Sequence, residues 1–503
     1  MAYAVRVLSA IGLDLGEFRV SRIRLPKKAL YLFGASALFA LLVCAYIGNA
    51  GRRFYAHQSD LYHAQSAQLQ LPLLPAPTSH TRLLVFAPHC DDDILGCAGL
   101  IQRTLKAGGT VRVITMTNGD GFRTAVQRQE RRLRVEPNDF MRFAYRRQEE
   151  SVKALTSLGV DRREIFFLGY PDRGLSPMWN DFWKPERPYT SLYTRCLRSP
   201  YKNAKTPNAI YCGESVLKDV QQALREFKPT LITVTHPDDD HIDHTASSAF
   251  VTLAMEMQRV GGREEWATKA RLLYYLVHRG NWPVTSANLE TAVLNPPTEM
   301  SYLDTEWLSF PISPEERRAK EAAIRAHSTQ VAMTKPFLLS FACSNELFGD
   351  LPMNSTVSFN PWEPMQVVAN PIADSFPRAR FGEGDIQSVS IRDNGKTLRV
   401  DLQMRENASP RVRYQLRLRH IIGDGESTPT SLLFRANDSE ALKRQGIRVS
   451  FEGKEIQFEI PVSLVISDSR PANRYLALSV ETSLAGVEID KTGIHLVSWS
   501  WSY

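Results

Sequence analysis

Apolar residues follow two alternating patterns between residues 82 and 350. Short apolar runs of the strand type are separated by stretches in which apolar residues recur with helical spacing. The predicted strands are 82–87, 111–116, 165–168, 231–235 and 272–277, and the predicted helices are 94–106, 145–158, 216–227, 245–260 and 315–327. This alternation predicts a Rossmann-like α/β fold, in which a mainly parallel sheet carries helices on both faces. Residues 122–144 and 173–212 are read as insertions beside the strand ends.

The spacing of apolar residues changes after about Pro352. Apolar residues then recur at every second position, and Asp393-Asn394-Gly395 separates two such runs as a hairpin turn would. This pattern predicts a C-terminal all-β domain of the sandwich type at 385–503. Residues 351–384 are expected to link it to the α/β domain, which occupies 82–350.

A long apolar run lies near the N-terminus. Residues 29–47 are apolar apart from Gly34 and Ser36, and about 20 such residues suffice to cross a bilayer. We therefore expect a basic cytoplasmic leader at 1–28, a single transmembrane helix at 29–48 and a linker at 49–81. The cations before the run predict a cytoplasmic N-terminus and an extracytoplasmic catalytic domain, in a periplasm, at a cell surface or in a lumen. A cleaved signal peptide is the alternative.

Composition narrows the choice of partners. The chain has 503 residues, which suits two folded units with appendages, and a formal net charge of +7. Much of the basic excess precedes the apolar run, where membrane topology explains it, so we expect no nucleic-acid partner. Of the six cysteines, Cys196 and Cys212 are the pair whose loop would allow a disulfide.

Two clusters of histidine and aspartate stand where predicted strands end. Pro88-His89-Cys90-Asp91-Asp92 follows the strand 82–87, and His236-Pro237-Asp238-Asp239-Asp240-His241-Ile242-Asp243-His244 follows 231–235. Open α/β sheets collect their ligand sites at these ends. Imidazole and carboxylate groups that converge from two loops can hold one divalent metal and leave a position open for water. The clusters therefore predict a metal-dependent hydrolase.

The two clusters also suggest a division of roles. Asp92 can bind the metal while Asp91 takes a proton from water, and His244 would be the third ligand beside His89. His241 lies three residues before His244, and Asp243 can orient an imidazole by accepting its ring N–H.

The motifs resemble those of the LmbE-like (PIG-L) zinc-dependent deacetylases. The match consists of the His-Cys-Asp-Asp and His-x-Asp-His motifs already described and of four supporting stretches. These stretches are Thr117-Asn118-Gly119-Asp120, Arg147-x-x-Glu150, Leu168-Gly169-Tyr170-Pro171-Asp172 and Ala326-His327-Ser328-x-Gln330. The resemblance covers roughly residues 82–347 and does not extend to the apolar run or the β domain.

The resemblance implies an activity and a set of residue roles. Family members remove acetyl groups from N-acetylglucosamine-containing glycosides and glycolipids, so the implied substrate is an extracytoplasmic polysaccharide or glycolipid and the implied cofactor is one zinc ion. Zinc would be bound by His89, Asp92 and His244. Asp91 would be the general base, and His241, with Asp243 as its partner, would stabilise the oxyanion or protonate the leaving amine. The residues expected to contact substrate are Arg147, which could instead hold the loop, and Asp172.

Several residues keep two interpretations. Cys90 stands where the family usually has proline, and it either fills space or reacts with metal or oxidants. Asp93 is a candidate helix N-cap, and Asp239 either is solvated or reaches a substrate hydroxyl. His278 and His327 are either structural or part of the site.

Two alternative functions remain at this stage. One is an inactive surface protein that binds glycans, and the other is a non-haem iron oxidoreductase, whose site also uses two histidines and a carboxylate. The iron site usually lies on a β barrel, and the ligands and the base expected of an active hydrolase are all present in the sequence.

Overall fold

The computed structural model describes residues 69–260, 265–283, 290–298, 305–351, 357–358, 365–369, 381–422, 430–466 and 474–500, with a few isolated positions besides. The expected anchor at 29–48 lies outside the described residues. None of the helices that are described is both long and apolar enough to cross a membrane. All that follows concerns the compact unit Gln58–Tyr503.

The α/β part is built on a seven-stranded sheet. Its strands are β1 (Arg82–Ala87), β2 (Thr110–Thr117), β3 (Ile165–Tyr170), β4 (Leu231–Thr235), β5 (Arg271–Tyr275), β6 (Glu306–Pro311) and β7 (Asn345–Asp350). Its helices are α1 (Asp92–Lys106), α2 (Arg123–Glu130), α3 (Pro137–Ser157), α4 (Leu175–Asn180), α5 (Gly213–Phe227), α6 (Ile242–Val260), α7 (Glu265–Lys269), α8 (Pro314–Ala326) and α9 (Ser328–Leu339). The α/β fold predicted from the sequence is confirmed.

The strand order places a switch point at the centre of the sheet. The order is β3-β2-β1-β4-β5-β7-β6, with β1 to β5 parallel and β7 antiparallel to both of its neighbours. The chain leaves β1 for β2 on one side and reaches β4 on the other side only later. In open α/β sheets, ligands bind in the crevice at such a point. The loops that follow β1 and β4 therefore meet at the carboxyl edge of the sheet.

Helix α1 begins two residues earlier than the apolar periodicity predicted. Asp91 occupies the N-cap position, so the expectation that Asp93 caps the helix is wrong. Asp93 lies within the first turn, where its Oδ1 accepts the N–H of Ile94 at 2.9 Å. Asp92 and Asp93 stand near the positive end of the helix dipole, and Lys106 ends the helix at its negative end.

The insertion predicted at 122–144 is mostly helical. It contains α2 and the first two turns of α3, which starts at Pro137 rather than near residue 145. Glu136 and Asp139 form a capping box, in which the side chain of each residue accepts a hydrogen bond from the backbone N–H of the other. Pro137 suits the first helical position. The early start was missed because glutamate and aspartate replace the usual serine and glutamate of such a box.

The C-terminal part forms two packed sheets, as the period-two pattern predicted. The strands are β8 (Val357–Ser358), β9 (Met365–Ala369), β10 (Ile386–Asp393), β11 (Thr397–Met404), β12 (Val412–Ile422), β13 (Thr430–Arg435), β14 (Arg448–Glu452), β15 (Glu455–Pro461), β16 (Arg474–Leu484), β17 (Val487–Lys491) and β18 (His495–Ser500). Two short helices, α10 (Ser439–Lys443) and α11 (Val462–Val465), join them. The sheet orders are β14-β15-β11-β10-β9 and β13-β12-β16-β18-β8, with β17 beside β16.

Both sheets bury apolar residues in one shared core. Leu398 and Val400 of one sheet and Leu416 and Val480 of the other belong to the same buried cluster. The predicted hairpin joins β10 to β11, with Gly395 at a φ of +83°. The segment 351–384, expected to be only a linker, contributes β8 and β9 to the sheets.

Candidate active site

The first loop fixes His89 by backbone contacts. It runs from the end of β1 to the start of α1, and the carbonyl of Pro88 accepts the N–H of Thr117 at 2.9 Å. The N–H of His89 donates to Asp92 Oδ2 at 2.8 Å. Both side chains are buried. The loop therefore presents His89 and Asp92 on one side without a mobile segment between them.

The second loop brings His244 to the same point. It joins β4 to α6, and Thr235 Oγ1 donates to the carbonyl of His244 at 2.9 Å. His244 is completely buried. Its first-turn position in α6 directs the ring back toward the end of β1.

Three ligand atoms from these loops form an equilateral triangle. His89 Nδ1, Asp92 Oδ2 and His244 Nε2 lie 3.1 Å from one another on every side. Three ligands bonded at about 2.0–2.1 Å to one ion in octahedral or tetrahedral geometry are separated by about 3.0–3.4 Å. Two ring nitrogens that face each other at this distance also require a proton or a cation between them. The three residues therefore fit a single divalent metal ion.

Other donor groups in this cluster are more widely spaced. Three further sets have ligand atoms within 4.8 Å of one another: His89, His241 and His244; Asp92, His244 and His278; and His89, Asp172 and Asp243. The 3.1 Å distances between His89 Nδ1, Asp92 Oδ2 and His244 Nε2 are well below that 4.8 Å limit. We take this triangle as the metal position and the remaining groups as its surroundings.

The charges around the triangle favour a cation. Burial opposes protonation of His89, but its hydrogen bonds to three carboxylates, those of Asp172, Asp243 and Asp92, raise its pKa well above the usual value. Burial likewise opposes protonation of His244, yet Asp239 and Asp92 raise its pKa to about 9. Positive charge at this point is thus stabilised by the protein itself, and a metal ion would take the place of these protons.

Asp91 is held beside the triangle by an arginine. Arg147 Nη2 donates to Asp91 Oδ1 at 2.8 Å, and Arg147 Nη1 donates to the carbonyl of Gly119 at 3.0 Å. A side chain on Gly119 would collide with this guanidinium, because an added Cβ would lie 1.7 Å from Nη1. Of the two roles expected for Arg147, holding the loop is the one that its contacts show. It does not pair with Glu150, which instead accepts hydrogen bonds from the first residues of α9.

His241 is a neutral imidazole with a defined tautomer. Burial, followed by the neighbouring imidazoles, lowers its pKa well below the usual value. Its Nδ1 accepts the backbone N–H of Asp243 at 3.2 Å, which leaves the hydrogen on Nε2. The ring stands edge-on to His89 with centroids 4.6 Å apart. His241 can therefore donate a hydrogen bond from Nε2.

The expectation that the Asp243 carboxylate orients His241 is wrong. Asp243 lies in the first turn of α6, and its oxygens accept the backbone N–H groups of Arg173 and Leu175. One oxygen also lies 3.4 Å from Nε2 of His89. Asp243 thus holds the 173–175 turn and the His89 ring.

Asp239 does not reach into the cavity where a substrate hydroxyl would lie. Its carboxylate is buried under the metal position, 3.1 Å from Nδ1 of His244. The same group accepts the backbone N–H groups of Val277 and His278 at 3.0 and 2.9 Å and that of His241 at 2.9 Å. Asp239 therefore fixes the orientation of a metal ligand, the arrangement known from carboxylate–histidine–zinc sites.

An open cavity of about 270 Å³ lies over the triangle. Its polar lining includes most of the predicted site residues, namely His89, Asp91, Asp92, Arg147, Asp172 and His241. Asp172 lies 3.7 Å from Nε2 of His89 and accepts the N–H of Gly121 at 3.0 Å. The apolar part of the lining consists of Leu95, Phe122, Phe337 and Leu338. A cavity of this kind accepts a small group that has one polar and one apolar side.

The cavity also contains residues that sequence reasoning missed. Arg173, Gln330 and Thr334 line it. His278, for which the sequence left a structural and a site interpretation open, lines it too, and its ring stacks on that of Phe337 with centroids 5.3 Å apart. Gln330 stands in one of the matching stretches and could have been singled out on that ground. Arg173 carried no such signal, although its left-handed φ of +57° marks an unusual backbone position for arginine. His327 is buried outside the lining.

The structure decides between the interpretations of Cys90 and tests the disulfide considered between Cys196 and Cys212. Cys90 is buried, and its Sγ faces the carbonyl of Asn118 at 3.7 Å rather than the triangle. Burial raises the pKa of its thiol, which suppresses the reactive thiolate. Cys196 and Cys212 are both free, so the disulfide considered between them is not formed.

The comparisons with known proteins agree with this geometry. Residues 84–255, which carry both metal-site loops, match the family described as PIG-L: GlcNAc-PI de-N-acetylase. The chain carries a PIG-L domain. The match ends within α6, so α8, α9 and the C-terminal β domain lie beyond the matched residues.

Curated relatives are identical to this chain at about a quarter of the aligned residues. A 1D-myo-inositol 2-acetamido-2-deoxy-alpha-D-glucopyranoside deacetylase of Mycobacterium sp. (strain JLS) is 26% identical, over 54% of this chain and 80% of the relative. A glucosamine-6-phosphate deaminase-like protein of Bacteroides thetaiotaomicron is 24% identical, over 51% of this chain but only 37% of the relative.

A solved structure is similar as well. The N,N'-diacetylchitobiose deacetylase from Pyrococcus horikoshii is 18% identical, with 54% of this chain and 83% of that chain covered and a TM-score of 0.32.

Proposed function

We propose that this protein is a metal-dependent N-deacetylase that hydrolyses the acetamide of N-acetylated amino sugars, of the N-acetylglucosamine type. The observation that carries the proposal is the triangle of 3.1 Å sides formed by His89, Asp92 and His244, with Asp91 facing the same cavity. The PIG-L match and the mycobacterial relative, which is named as a deacetylase of an acetamido sugar, support the choice of reaction and substrate class.

The ligand set suits zinc. Two imidazoles and one carboxylate with an open position for water are typical of catalytic zinc sites. When bound, zinc supplies Lewis-acid chemistry, which polarises an acetyl carbonyl and makes an attacking water more acidic. His89, Asp92 and His244 would hold the ion, and Asp239 and Asp243 would orient the two imidazoles from behind.

Asp91 acts as the general base in the proposed reaction. It accepts one proton from the attacking water while the water oxygen bonds to the carbonyl carbon. Arg147 keeps the carboxylate aimed at the cavity through its 2.8 Å contact. Asp91 then returns the proton to the sugar nitrogen as the C–N bond breaks. The products are acetate and a free amino sugar.

His241 stabilises the charge that develops on the carbonyl oxygen. Its Nε2 carries the hydrogen because Nδ1 is occupied by the N–H of Asp243. A neutral imidazole can donate this hydrogen bond without giving up a proton. Asp172, on the same side of the cavity, can accept hydrogen bonds from sugar hydroxyl groups, and the apolar wall of Phe122, Phe337 and Leu338 suits the face of the ring or the acetyl methyl.

The proposal is tested by measuring acetate release from N-acetylglucosamine oligomers and glycolipids with added zinc. Asp91→Asn removes the base and should lower kcat by roughly 10²- to 10⁴-fold. Asp93→Asn is a matched control, because Asp93 is buried two residues away but lies outside the cavity lining. An unmodified chain that binds metal and releases no acetate from any of these substrates would instead support an inactive glycan-binding protein.

We also propose that residues 29–48 anchor the protein in a membrane, with residues 1–28 in the cytoplasm and the catalytic domain outside it. The uncharged apolar run and the cations before it support this arrangement. Such an anchor would place the cavity near a polysaccharide or glycolipid at the membrane surface. In intact spheroplasts, added protease should cleave the catalytic domain. A catalytic domain that is digested only after lysis would contradict the proposed orientation.

A further inference from the structure

The outer side of the second loop is covered by the C-terminal β domain. We call residues 236–241, which precede the His244 ligand, the metal loop. Two parts of the chain approach this loop: the turn between β17 and β18, and Arg378, which precedes β10. The β domain thus touches a segment that carries catalytic residues, and three separate contacts define how it does so.

The first contact is a close approach of two backbones. A Cβ added to Gly493 would lie 1.9 Å from the carbonyl oxygen of Pro237, which is far inside van der Waals contact. The φ of Gly493 is not in the left-handed region, so glycine is required here by space alone. Any side chain at this position must displace the metal loop or the β domain.

The second contact is a buried hydrogen bond. His495 Nε2 lies 2.8 Å from Asp238 Oδ1, and the N–H of Gly493 points at the same oxygen from 3.4 Å. The Asp238 side chain is only 9% exposed. A carboxylate so far from water needs partners, and the β domain supplies two of them.

The third contact runs through an arginine. Arg378 Nε lies 2.6 Å from Asp490 Oδ1 at the end of β17, and Arg378 Nη2 lies 3.9 Å from Asp240 Oδ1. Asp240 also accepts the N–H of Gly280 at 2.6 Å. The metal loop is therefore fixed at Pro237, Asp238 and Asp240 by groups that belong to or adjoin the β domain.

Between these fixed points lies the residue that orients the metal ligand. Asp239 points inward, 3.1 Å from Nδ1 of His244, while its neighbour Asp238 points outward to His495. Adjacent residues of one short loop thus face the metal position and the β domain. Displacement of Asp238 would move Asp239 and, through it, the ring of His244.

We propose that the β domain holds the metal loop in place, with Gly493 and His495 as positioning residues for the His244 ligand. The β domain is then a structural part of the catalytic unit. This inference rests on the metal site of the proposed function, and its two positioning residues, Gly493 and His495, lie outside both the PIG-L match and the cavity lining.

Zinc affinity of the full-length chain in detergent, measured by competition with a chromogenic chelator, tests the inference. Gly493→Ala and His495→Ala should each weaken zinc binding by about 10-fold, the lower end of the effect of removing an outer-shell partner. His495→Gln should recover most of the affinity, because its amide N–H can reach Asp238. Val487→Ala is the control: it changes an exposed residue of β17 and should leave the affinity unchanged.

The melting temperature of the metal-free variants separates positioning from folding. The inference is overturned if the Gly493→Ala and His495→Ala variants have the melting temperature of the parent and also bind zinc as tightly as the parent does. If either alanine variant melts at a lower temperature than the parent, the absorption spectra of the cobalt(II)-loaded His495→Gln and Val487→Ala variants decide. A ligand field that is altered in His495→Gln but not in Val487→Ala supports the positioning role. Identical spectra of the two variants refute that role. A parent chain that binds no zinc would instead overturn the proposed metal site.

Discussion

His244 has a carboxylate beside each of its ring nitrogens. Asp92 lies 3.1 Å from Nε2 and Asp239 lies 3.1 Å from Nδ1. Asp92 was recognisable in the sequence as a metal ligand because it stands in a short motif with His89. The role of Asp239 was not recognisable, because an acidic run such as 238–240 gives no sign of which carboxylate turns inward.

Asp239→Asn should weaken zinc binding by about 10- to 100-fold, the usual effect of losing the carboxylate behind a metal-bound imidazole. The amide still accepts one backbone N–H, so the loop should keep its course. Competition with a chelator gives the affinity, and Asp93→Asn is again the matched control. Equal affinities for the Asp239 variant and the parent would show that His244 is held by other contacts.

Arg147→Lys should lower kcat by roughly 10- to 100-fold, because lysine cannot contact both Asp91 and the carbonyl of Gly119 and the base would lose its aim. Zinc affinity should stay near that of the parent, since Arg147 does not touch the triangle. Steady-state kinetics together with metal titration measure the two effects. A loss of zinc binding that matches the loss of kcat would assign Arg147 to the metal site instead.

At the scale of elements, the central strands were the most predictable part of the fold. Strands β1 and β4 are apolar runs that are followed by histidine and aspartate, and both were placed correctly from the sequence. The start of α3 was missed because its capping box uses Glu136 and Asp139. The two-strand contribution of 351–384 was missed because β8 and β9 are short and because β8 pairs with β18, which is distant in sequence.

In the candidate site, too, the residues beside the central strands were the predictable ones. His89, Asp92 and His244 come from loops whose positions are fixed by the parallel sheet, so sequence reasoning could bring them together. Arg173 and Phe337 come from an insertion and from the kinked helix α9, whose paths depend on packing. Their place in the cavity was therefore not predictable from local patterns.

The loop after β4 also carries a pH-sensitive buried group. Burial, partly offset by Asp238, lowers the pKa of His236 to about 4. Since the folded pKa lies below the unfolded value of about 6.5, this group contributes stability above pH 6.5 that is lost as the pH falls through about 4.

The loss attributable to His236 should be on the order of 3 kcal/mol of unfolding free energy. Chemical unfolding of the parent and of His236→Gln at pH 7 and pH 4.5 measures it, because other titrating groups cancel in the comparison. The variant should lose less stability on acidification. The same loss in both proteins would show that His236 is not held neutral in the folded state.

At the scale of the whole molecule, the α/β part and the β domain share a buried boundary. Tyr475 and Ile494 of the β domain belong to the same apolar cluster as Phe250 of α6. Arg419 of β12 lies over the ring of Trp183 at 4.7 Å. The sequence indicated two domains but gave no sign of this contact, because the residues involved look like ordinary core positions of each domain.

Removal and restoration of the metal test the central claim most directly. The full-length chain, freed of metal with a chelator, should release no acetate from N-acetylglucosamine oligomers or glycolipids. One equivalent of zinc per chain should restore the release in the parent, whereas Asp91→Asn should bind the same equivalent and stay inactive. Acetate release by the metal-free chain, or equal release by the Asp91 variant, would contradict the account.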